Sequence, residues 1–221
     1  NKINKNLEDL AQTLYKHWFV DFEFPNEEGL PYKSSGGKMV ESELGLIPDG
    51  WNKIKLDKYL EFERGVEPGA KNYNDTKGKN SLAFIRVGDL NKYNPVYVDK
   101  EHLKNKYINL DDILVSFDGA IGRVSIGLEG SYSTGLRKIY SNNKINLPKE
   151  YIYYLFKSEE IQNTINNHAN GTTILHASSS IKFLETVYNE EVIEKFSKIV
   201  NPLFSKIIHI IIESNKLEKL R

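Results

Sequence analysis

Apolar residues recur every three or four positions at both ends of this 221-residue chain, which is the spacing of one face of an α-helix. The N-terminal series consists of Ile3, Leu7, Leu10, Leu14 and Trp18. The C-terminal series consists of Phe196, Val200, Leu203, Ile207, Ile210 and Leu217. Asn189 is suited to cap the second helix, and Pro202 predicts a kink or a break near its second turn. We expect two antiparallel helices with coiled-coil-like seams, with two ordinary surface helices as the alternative.

A short repeat links the two ends of the chain. Residues 5–10 read KNLEDL and residues 215–220 read NKLEKL, which aligns Leu7 with Leu217 and Leu10 with Leu220. Such a repeat is typical of one unit in a tandem or paired arrangement, although six residues also repeat by chance.

The middle of the chain contains many turn residues and short strand-like runs. Residues 23–50 are rich in Gly, Pro and Ser and are predicted to form a connector with one short helical piece at most. Five runs typical of strands follow, at 82–88, 95–99, 112–117, 120–127 and 133–140. Asp118-Gly119 lies between two of these runs and is a hairpin signal.

The fold class predicted from these patterns is α+β. A strand-rich domain at 51–188 contains one helix, at 149–168 after Pro148. A helix at 1–22 precedes the domain and a helix at 189–221 follows it. These two terminal helices are expected to form an antiparallel, coiled-coil-like spacer.

Composition favours a folded domain and limits its chemistry. The chain is 39% hydrophobic and 11% aromatic, which suits a packed core. It has no cysteine, which excludes disulfides and thiol catalysis and fits a cytoplasmic protein. The longest apolar run, at 207–212, is too short to span a membrane, and the N-terminal end does not resemble a signal peptide. Because the first residue is Asn, we expect a fragment or a processed product.

The formal net charge is zero, but the charged residues are unevenly distributed. Residues 1–50 contain 5 basic and 9 acidic side chains, residues 51–150 contain 17 and 13, and residues 151–221 contain 8 of each. A mildly basic middle segment suits a DNA-binding module that is carried on interaction helices.

The sequence lacks the motifs of common catalytic sites. It contains neither a phosphate-binding loop nor a dinucleotide-binding GxGxxG after a strand, and it has no HExxH zinc motif. The five histidines lack the spacing of metal ligands. The acidic pair Asp111-Asp112 is interpreted as a solvated turn rather than an acid–base pair. We therefore expect neither catalytic residues nor a metal site in this chain.

Five stretches of the sequence resemble segments of a known protein family. They are LAQTLYKHWFVDFEFP, GLPYKSSGGKMVESELGLIPDGW, IRVGDL, DGAIGRVSIGLEGSYSTGLRKI and GTTILHASSSIK. Together they are similar to the specificity subunit of Type I restriction–modification systems, over nearly the whole chain. The segment VYNEEVIEKF at 187–196 departs from the family's usual start of the distal helix, so the start of the C-terminal helix is left open.

The resemblance implies a non-catalytic DNA-recognition chain. Family members carry two target-recognition domains that alternate with two helical segments, and each domain reads one half of a split DNA sequence. One such domain is present here, which implies the C-terminal half of a specificity subunit or a half-subunit. The implied partners are double-stranded DNA, the methyltransferase (modification) subunits and, through the complex, the restriction/translocase subunits. S-adenosylmethionine, ATP and Mg²⁺ would be used by partner subunits, with no cofactor bound by this chain.

The stretch NGTTILHASSSIK at 170–182 takes on a role under this resemblance. Its glycine would allow close approach to DNA, while its hydroxyls, its histidine and its lysine would contact phosphates or bases. The serine run, including Ser180, is also suited to cap a helix starting near Ile181, whose N-terminal amides favour a phosphate. A capped helix start without any DNA role is the alternative.

The resemblance implies a set of DNA-binding residues spread over four parts of the domain. These are Arg64, Lys71, Arg86, Asp89, Asn91, Asp118, Arg123, Arg137, Gly171, Thr172, Thr173, His176, Ser178, Ser179 and Lys182. Arg can pair with guanine and Asn with adenine. The alternative for Arg86 and Asp89 is a surface ion pair that contributes little.

The family's two-unit organisation also predicts a head-to-tail homodimer with a two-fold axis. The outer surface of the C-terminal helix, including Ile208, Ile211 and Ile212, would be covered by the second copy, and Ile207→Asp would weaken the dimer. Two rival interpretations are the recognition region of a fused single-chain restriction–methylation enzyme and a coiled-coil interaction protein without a DNA role. The bases that are read depend on loop geometry and do not follow from the sequence.

Overall fold

The computed structural model describes residues 2–219 of the chain. This part contains four α-helices: α1 Lys2–Phe19, α2 Lys149–Phe156, α3 Glu159–Asn167 and α4 Glu190–Lys219. Leu220, the last position of the short repeat, lies outside the described residues. Residue 1 of the predicted N-terminal helix 1–22 and residues 220 and 221 of the predicted C-terminal helix 189–221 also lie outside the described residues. Among the helices described, none is both long enough and apolar enough to cross a bilayer.

Twelve short strands make up the β-structure of residues 2–219. They are β1 Met39–Ser42, β2 Gly45–Pro48, β3 Asn52–Lys55, β4 Leu60–Arg64, β5 Ser81–Ile85, β6 Val96–Asp99, β7 Tyr107–Ile108, β8 Ile113–Ser116, β9 Val124–Ser125, β10 Gly130–Tyr132, β11 Leu136–Ser141 and β12 Glu185–Tyr188. Sheet A has the order β6-β5-β10-β7, and sheet B has the order β4-β11-β8-β9. Two ribbons, β1-β2 and β12-β3, complete the set. Strands β5 and β10 pair in parallel, and the other pairs are antiparallel.

The two terminal helices run in opposite directions. Tyr15, near the end of α1, packs edge-on against Phe196, near the start of α4. Tyr153 of α2 contacts Glu8, two turns earlier in α1, and Phe204, two turns later in α4. The residue order along α1 is therefore the reverse of that along α4. The predicted α+β fold with paired terminal helices is confirmed.

The buried faces of these helices match the predicted apolar series only in part. On α1 the buried side chains are Ala11, Tyr15, Trp18 and Phe19, while Ile3 and Leu10 are exposed. On α4 the buried side chains include Phe196, Val200, Ile207 and Ile210, while Leu217 is exposed. Because aromatic rings bury the largest apolar areas, the aromatic side chains of α1 are deeply buried, while Leu7 and Leu14 of the predicted series pack partly buried against the same core. Ile208 and Ile211 are partly covered by the core of the same chain.

The connector differs from its prediction, because residues 39–48 form a β-hairpin rather than a helical piece. The hydroxyl of Ser42 closes the turn: it accepts from the N–H of Leu44 at 3.1 Å and donates to the carbonyl oxygen of Gly45 at 2.7 Å. This side-chain closure replaces the Asn-Gly or Asp-Gly pair that a sequence search for hairpins relies on.

The helix predicted at 149–168 is two helices, with a break at Lys157-Ser158. Ser158 caps the second of them by accepting from the N–H of Ile161. Of the kink or break predicted at Pro202, the break is absent, since α4 runs without interruption from Glu190 to Lys219. The predicted cap is present: Asn189 Oδ1 accepts from the N–H of Val192 at 3.1 Å.

Candidate nucleic-acid interface

Sheets A and B meet where β4 and β11 approach the end of β10. Arg64, the last residue of β4, pairs in register with Arg137 of β11. The next residue, Gly65, passes so close to the chain after β10 that a Cβ would lie 2.3 Å from the carbonyl oxygens of Tyr132 and Ser133. A glycine is therefore required here, and it lets Arg64 reach the place where the sheets join. We call Arg64 and Arg137 the arginine junction.

Arg137 is only 6% exposed, and its guanidinium group bonds neutral acceptors. Its Nη1 donates to the carbonyl oxygens of Thr134 at 2.7 Å and Leu136 at 3.1 Å. Its Nη2 donates to the hydroxyl of Ser178 at 2.7 Å. Arg64 Nε donates to the same Thr134 oxygen at 3.3 Å. One backbone carbonyl thus connects the two guanidinium groups.

The electrostatics of the junction favour an anion. Burial and the charge of Arg64 lower the pKa of the Arg137 guanidinium, although it stays protonated at neutral pH. Within residues 2–219, neither arginine forms an ion pair with a carboxylate. Asp118 offsets part of the positive charge, but its Oδ1 lies 2.7 Å from His176 Nδ1. Two neighbouring guanidinium groups that are not paired directly with a carboxylate suit a phosphate or carboxylate ligand.

Residues 170–176 form a closed loop beside the junction, which we call the 170–176 loop. Asn170 and His176 exchange backbone hydrogen bonds of 2.9 and 2.7 Å and form its neck. Gly171 has a φ of +110°, and a Cβ on it would lie 2.2 Å from the carbonyl oxygen of Ile174. The glycine is therefore required by the loop itself, whatever approaches from outside. The side chains of Thr172, Thr173 and His176 are exposed.

The serine run does not cap an α-helix near Ile181, so that prediction is wrong. Residues Ser178–Phe183 form a 3₁₀ helix whose preceding residue makes no side-chain cap. Ser178 accepts from Arg137, Ser179 donates to the carbonyl oxygen of His168, and Ser180 is buried. The hydroxyls of Ser178 and Ser179 hold this segment to its neighbours, and that of Ser180 donates to the carbonyl oxygen of Ala177, which directly precedes the segment.

The 3₁₀ helix Val87–Leu90 lies near Gly135, the residue after Thr134. Arg123 Nη1 donates to the carbonyl oxygen of Val87 at 3.3 Å. Arg86 makes the ion pair that the sequence offered as an alternative, with Nε 3.0 Å and Nη2 3.2 Å from the two oxygens of Asp89. Asn91 follows the helix and is exposed.

Two predicted cations lie apart from this group. Lys71 is exposed in the 3₁₀ helix Ala70–Asn72, and no hydrogen bond in the described chain joins it to the junction. Lys182 is exposed, and its Nζ lies 4.8 Å from the centre of the Phe183 ring. Thr134 was missed by sequence reasoning. Its importance lies in a backbone carbonyl, for which the sequence carries no signal.

Strands, loops and junction together define an α+β domain with a candidate anion site, carried on paired terminal helices. Residues 48–184 match the family described as the Type I restriction modification DNA specificity domain, and the chain belongs to this family. The resemblance identified from the sequence motifs is confirmed.

Curated relatives cover the whole of this chain. The "Type I restriction enzyme MjaIX specificity subunit" of Methanocaldococcus jannaschii is 28% identical, with 51% of its own length matched. The "Type I restriction enzyme HindI specificity subunit" of Haemophilus influenzae is 22% identical, with 60% of its length matched. The chain thus spans about half the length of the first of these relatives.

Solved structures show the same fold at low identity. The HsdS subunit from Thermoanaerobacter tengcongensis aligns with 96% of this chain and 46% of its own, at 17% identity and a TM-score of 0.51. The Type I restriction–modification S subunit from M. genitalium aligns with 69% of this chain and 38% of its own, at 19% identity and a TM-score of 0.52.

Proposed function

We propose that this chain recognises a DNA sequence within a Type I restriction–modification complex and reads one half of a split target. The observation that carries the proposal is the arginine junction, where two guanidinium groups are neighbours and neither forms an ion pair with a carboxylate among the described residues. DNA phosphates are the anions that such groups bind in a sequence-recognition domain. The names of the curated relatives, which are specificity subunits, support the same function.

We assign contacts with DNA phosphates and contacts with DNA bases to different residues. The exposed Arg64, with Lys71 and Lys182 at the periphery, binds the phosphate backbone and orients the domain, and the buried Arg137 adds positive charge to the site. The exposed part of the 170–176 loop reaches the base edges. Arg86 reads a base only if its guanidinium group leaves the carboxylate of Asp89, because both oxygens of that carboxylate are engaged.

The phosphate role is tested by replacing Arg64, which is exposed, rather than the buried Arg137. Arg64→Gln should weaken binding to every DNA duplex by a similar factor and reduce the slope of log K against log salt by about one. Fluorescence anisotropy at several salt concentrations measures both quantities.

Lys198→Gln is the matched control for Arg64→Gln. It removes one exposed positive charge from α4, outside the recognition domain. If both variants change the salt slope equally, or if neither does, the arginine junction is not the phosphate site.

We further infer that the chain has no catalytic activity of its own and acts in the cytoplasm of a bacterial or archaeal cell. Its partners are modification subunits, and restriction/translocase subunits through the complex. S-adenosylmethionine, ATP and Mg²⁺ belong to those subunits. Family membership supports this division of labour, since the matched domain is the DNA specificity domain.

Pairing with a second copy is also part of the proposal. Leu10 on α1 and Leu217 on α4 are 58% and 63% exposed, so each terminal helix leaves a large apolar side chain in water. Burying such side chains stabilises an association by roughly 1.5–3 kcal/mol each. A homodimer would bring two recognition domains together to read a symmetric split site.

A further inference from the structure

We infer that Ile174 and Leu175, at the tip of the 170–176 loop, contact the apolar surface of a DNA base and contribute to sequence discrimination. The inference rests on the proposed function and adds a specificity role for two residues that the sequence did not single out. Both are large apolar side chains that the fold leaves exposed, with Ile174 56% exposed.

Backbone hydrogen bonds anchor the loop that exposes Ile174 and Leu175. The neck is closed by the backbone pair of Asn170 and His176. The N–H of Gly119 donates to the carbonyl oxygen of Leu175 at 2.8 Å, which fixes the tip itself to the loop after β8. A loop held at its neck and its tip orders Ile174 before any ligand arrives, and this lowers the entropy cost of binding.

The surroundings of the tip identify DNA as the occupant. Ser178, which accepts from Arg137, is four residues beyond Ile174 along the chain. Four residues span at most about 14 Å. The major groove is about 12 Å wide, so a phosphate at the arginine junction places the tip within reach of the bases beside it. A protein partner that bound the apolar tip would not require the positive charge of the arginine junction, whereas DNA does.

The chemistry of the tip decides which part of a base it contacts. Ile and Leu side chains neither donate nor accept hydrogen bonds, so they do not read the polar edges of a base pair. Two apolar surfaces are available in DNA: the C5-methyl group of thymine in the major groove, and the face of a base at a partly unstacked step. Both are contacts with the apolar part of a base.

The experiment selects bound sequences from a pool of random DNA duplexes with the purified full chain. Wild type, Ile174→Ala and the control Ile199→Ala are compared; Ile199 lies on α4 and is 51% exposed, so the two substitutions match in size and exposure. Ile174→Ala should lose preference at one or two positions. It should bind the wild-type site about five- to tenfold more weakly, with the salt slope unchanged. Ile199→Ala should select the wild-type sequence.

Two modified duplexes then distinguish the apolar surfaces. Replacing thymine by uracil at the affected position removes the methyl group and should weaken wild type but not Ile174→Ala. Alternatively, 2-aminopurine in place of the adenine of that base pair should brighten on binding wild type only, which reports unstacking. The inference is overturned if Ile174→Ala selects the wild-type sequence, or if neither modified duplex separates the two proteins. Failure of the proposed function is a different result: wild type then shows no salt-dependent DNA binding, and the inference falls with it.

Discussion

Arg86 and Asp89 act as one internal unit at the start of the 3₁₀ helix that follows β5. Asp89 is buried, and its Oδ2 accepts from both the backbone N–H and the Nε of Arg86. The Nη2 of Arg86 donates to the carbonyl oxygen of Asn94 at 2.9 Å. The Asp89 carboxylate raises the pKa of the Arg86 guanidinium. The ion pair therefore shapes the loop whether or not Arg86 also touches DNA.

Arg86→Ala should lower the free energy of unfolding, because it leaves the buried Asp89 carboxylate with its backbone contact alone. Losing one partner of a buried charged group costs about 1–3 kcal/mol, and the lower half of this range is expected here because Arg86 is partly solvated. Urea denaturation measures the change. The double variant Arg86→Ala, Asp89→Asn should recover part of the loss, and equal losses in the single and double variants would contradict the argument.

Glu63 of β4 forms a side-chain link between sheets B and A. Its carboxylate accepts from the Tyr132 hydroxyl of β10, in the other sheet, and lies 3.1 Å from Lys106 Nζ and 3.6 Å from Lys138 Nζ. Burial raises the pKa of Glu63, but the hydrogen bonds from Tyr132 and Lys106, together with the charge of Lys138, lower it below the ordinary value of 4.5. The ionised carboxylate therefore stabilises the contact between the sheets.

Glu63→Gln should reduce stability at neutral pH, and the difference from wild type should shrink in acid. Because the folded pKa is lowered, the native state binds fewer protons than the unfolded state below about pH 4.5, so the stabilisation is present above that pH and lost as the pH falls. Urea denaturation between pH 7 and pH 3 tests this. Glu61→Gln, an exposed glutamate on the same strand, is the control, and the same pH dependence in both variants would refute the role of Glu63.

The long helices were predictable from the sequence, whereas contacts that depend on how strands pair were not. The helices at both ends and the Asn189 cap follow from local spacing and local hydrogen bonding. Strands such as β9 and β10 are two or three residues long, too short for an alternating pattern to appear. Arg64 and Arg137 were both predicted as DNA-binding residues. Their juxtaposition depends on the register of β4 and β11, which no local pattern encodes.

On the scale of the whole molecule, the surface left by the two terminal helices determines what the chain can assemble with. The predicted test with Ile207→Asp is unsuitable, because Ile207 is fully buried within its own chain. A carboxylate there would disrupt the core and unfold the protein, so loss of a dimer would not report on the interface. Leu10 and Leu217, with Ile3 of α1 and Ile199 of α4, are large apolar side chains that these helices leave exposed.

Leu10→Asp should therefore convert a homodimer into a folded monomer. The substitution places a charge on an exposed position of α1, so the fold is retained while a contact with the second copy would have to bury that charge. Light scattering at micromolar concentration should give twice the monomer mass for wild type and the monomer mass for Leu10→Asp, with equal helix content by circular dichroism. Leu30→Asp, at an exposed leucine of the connector, should remain dimeric. A wild-type chain that is monomeric over this range would exclude self-association and leave the leucines of α1 and α4 as a docking surface for modification subunits alone.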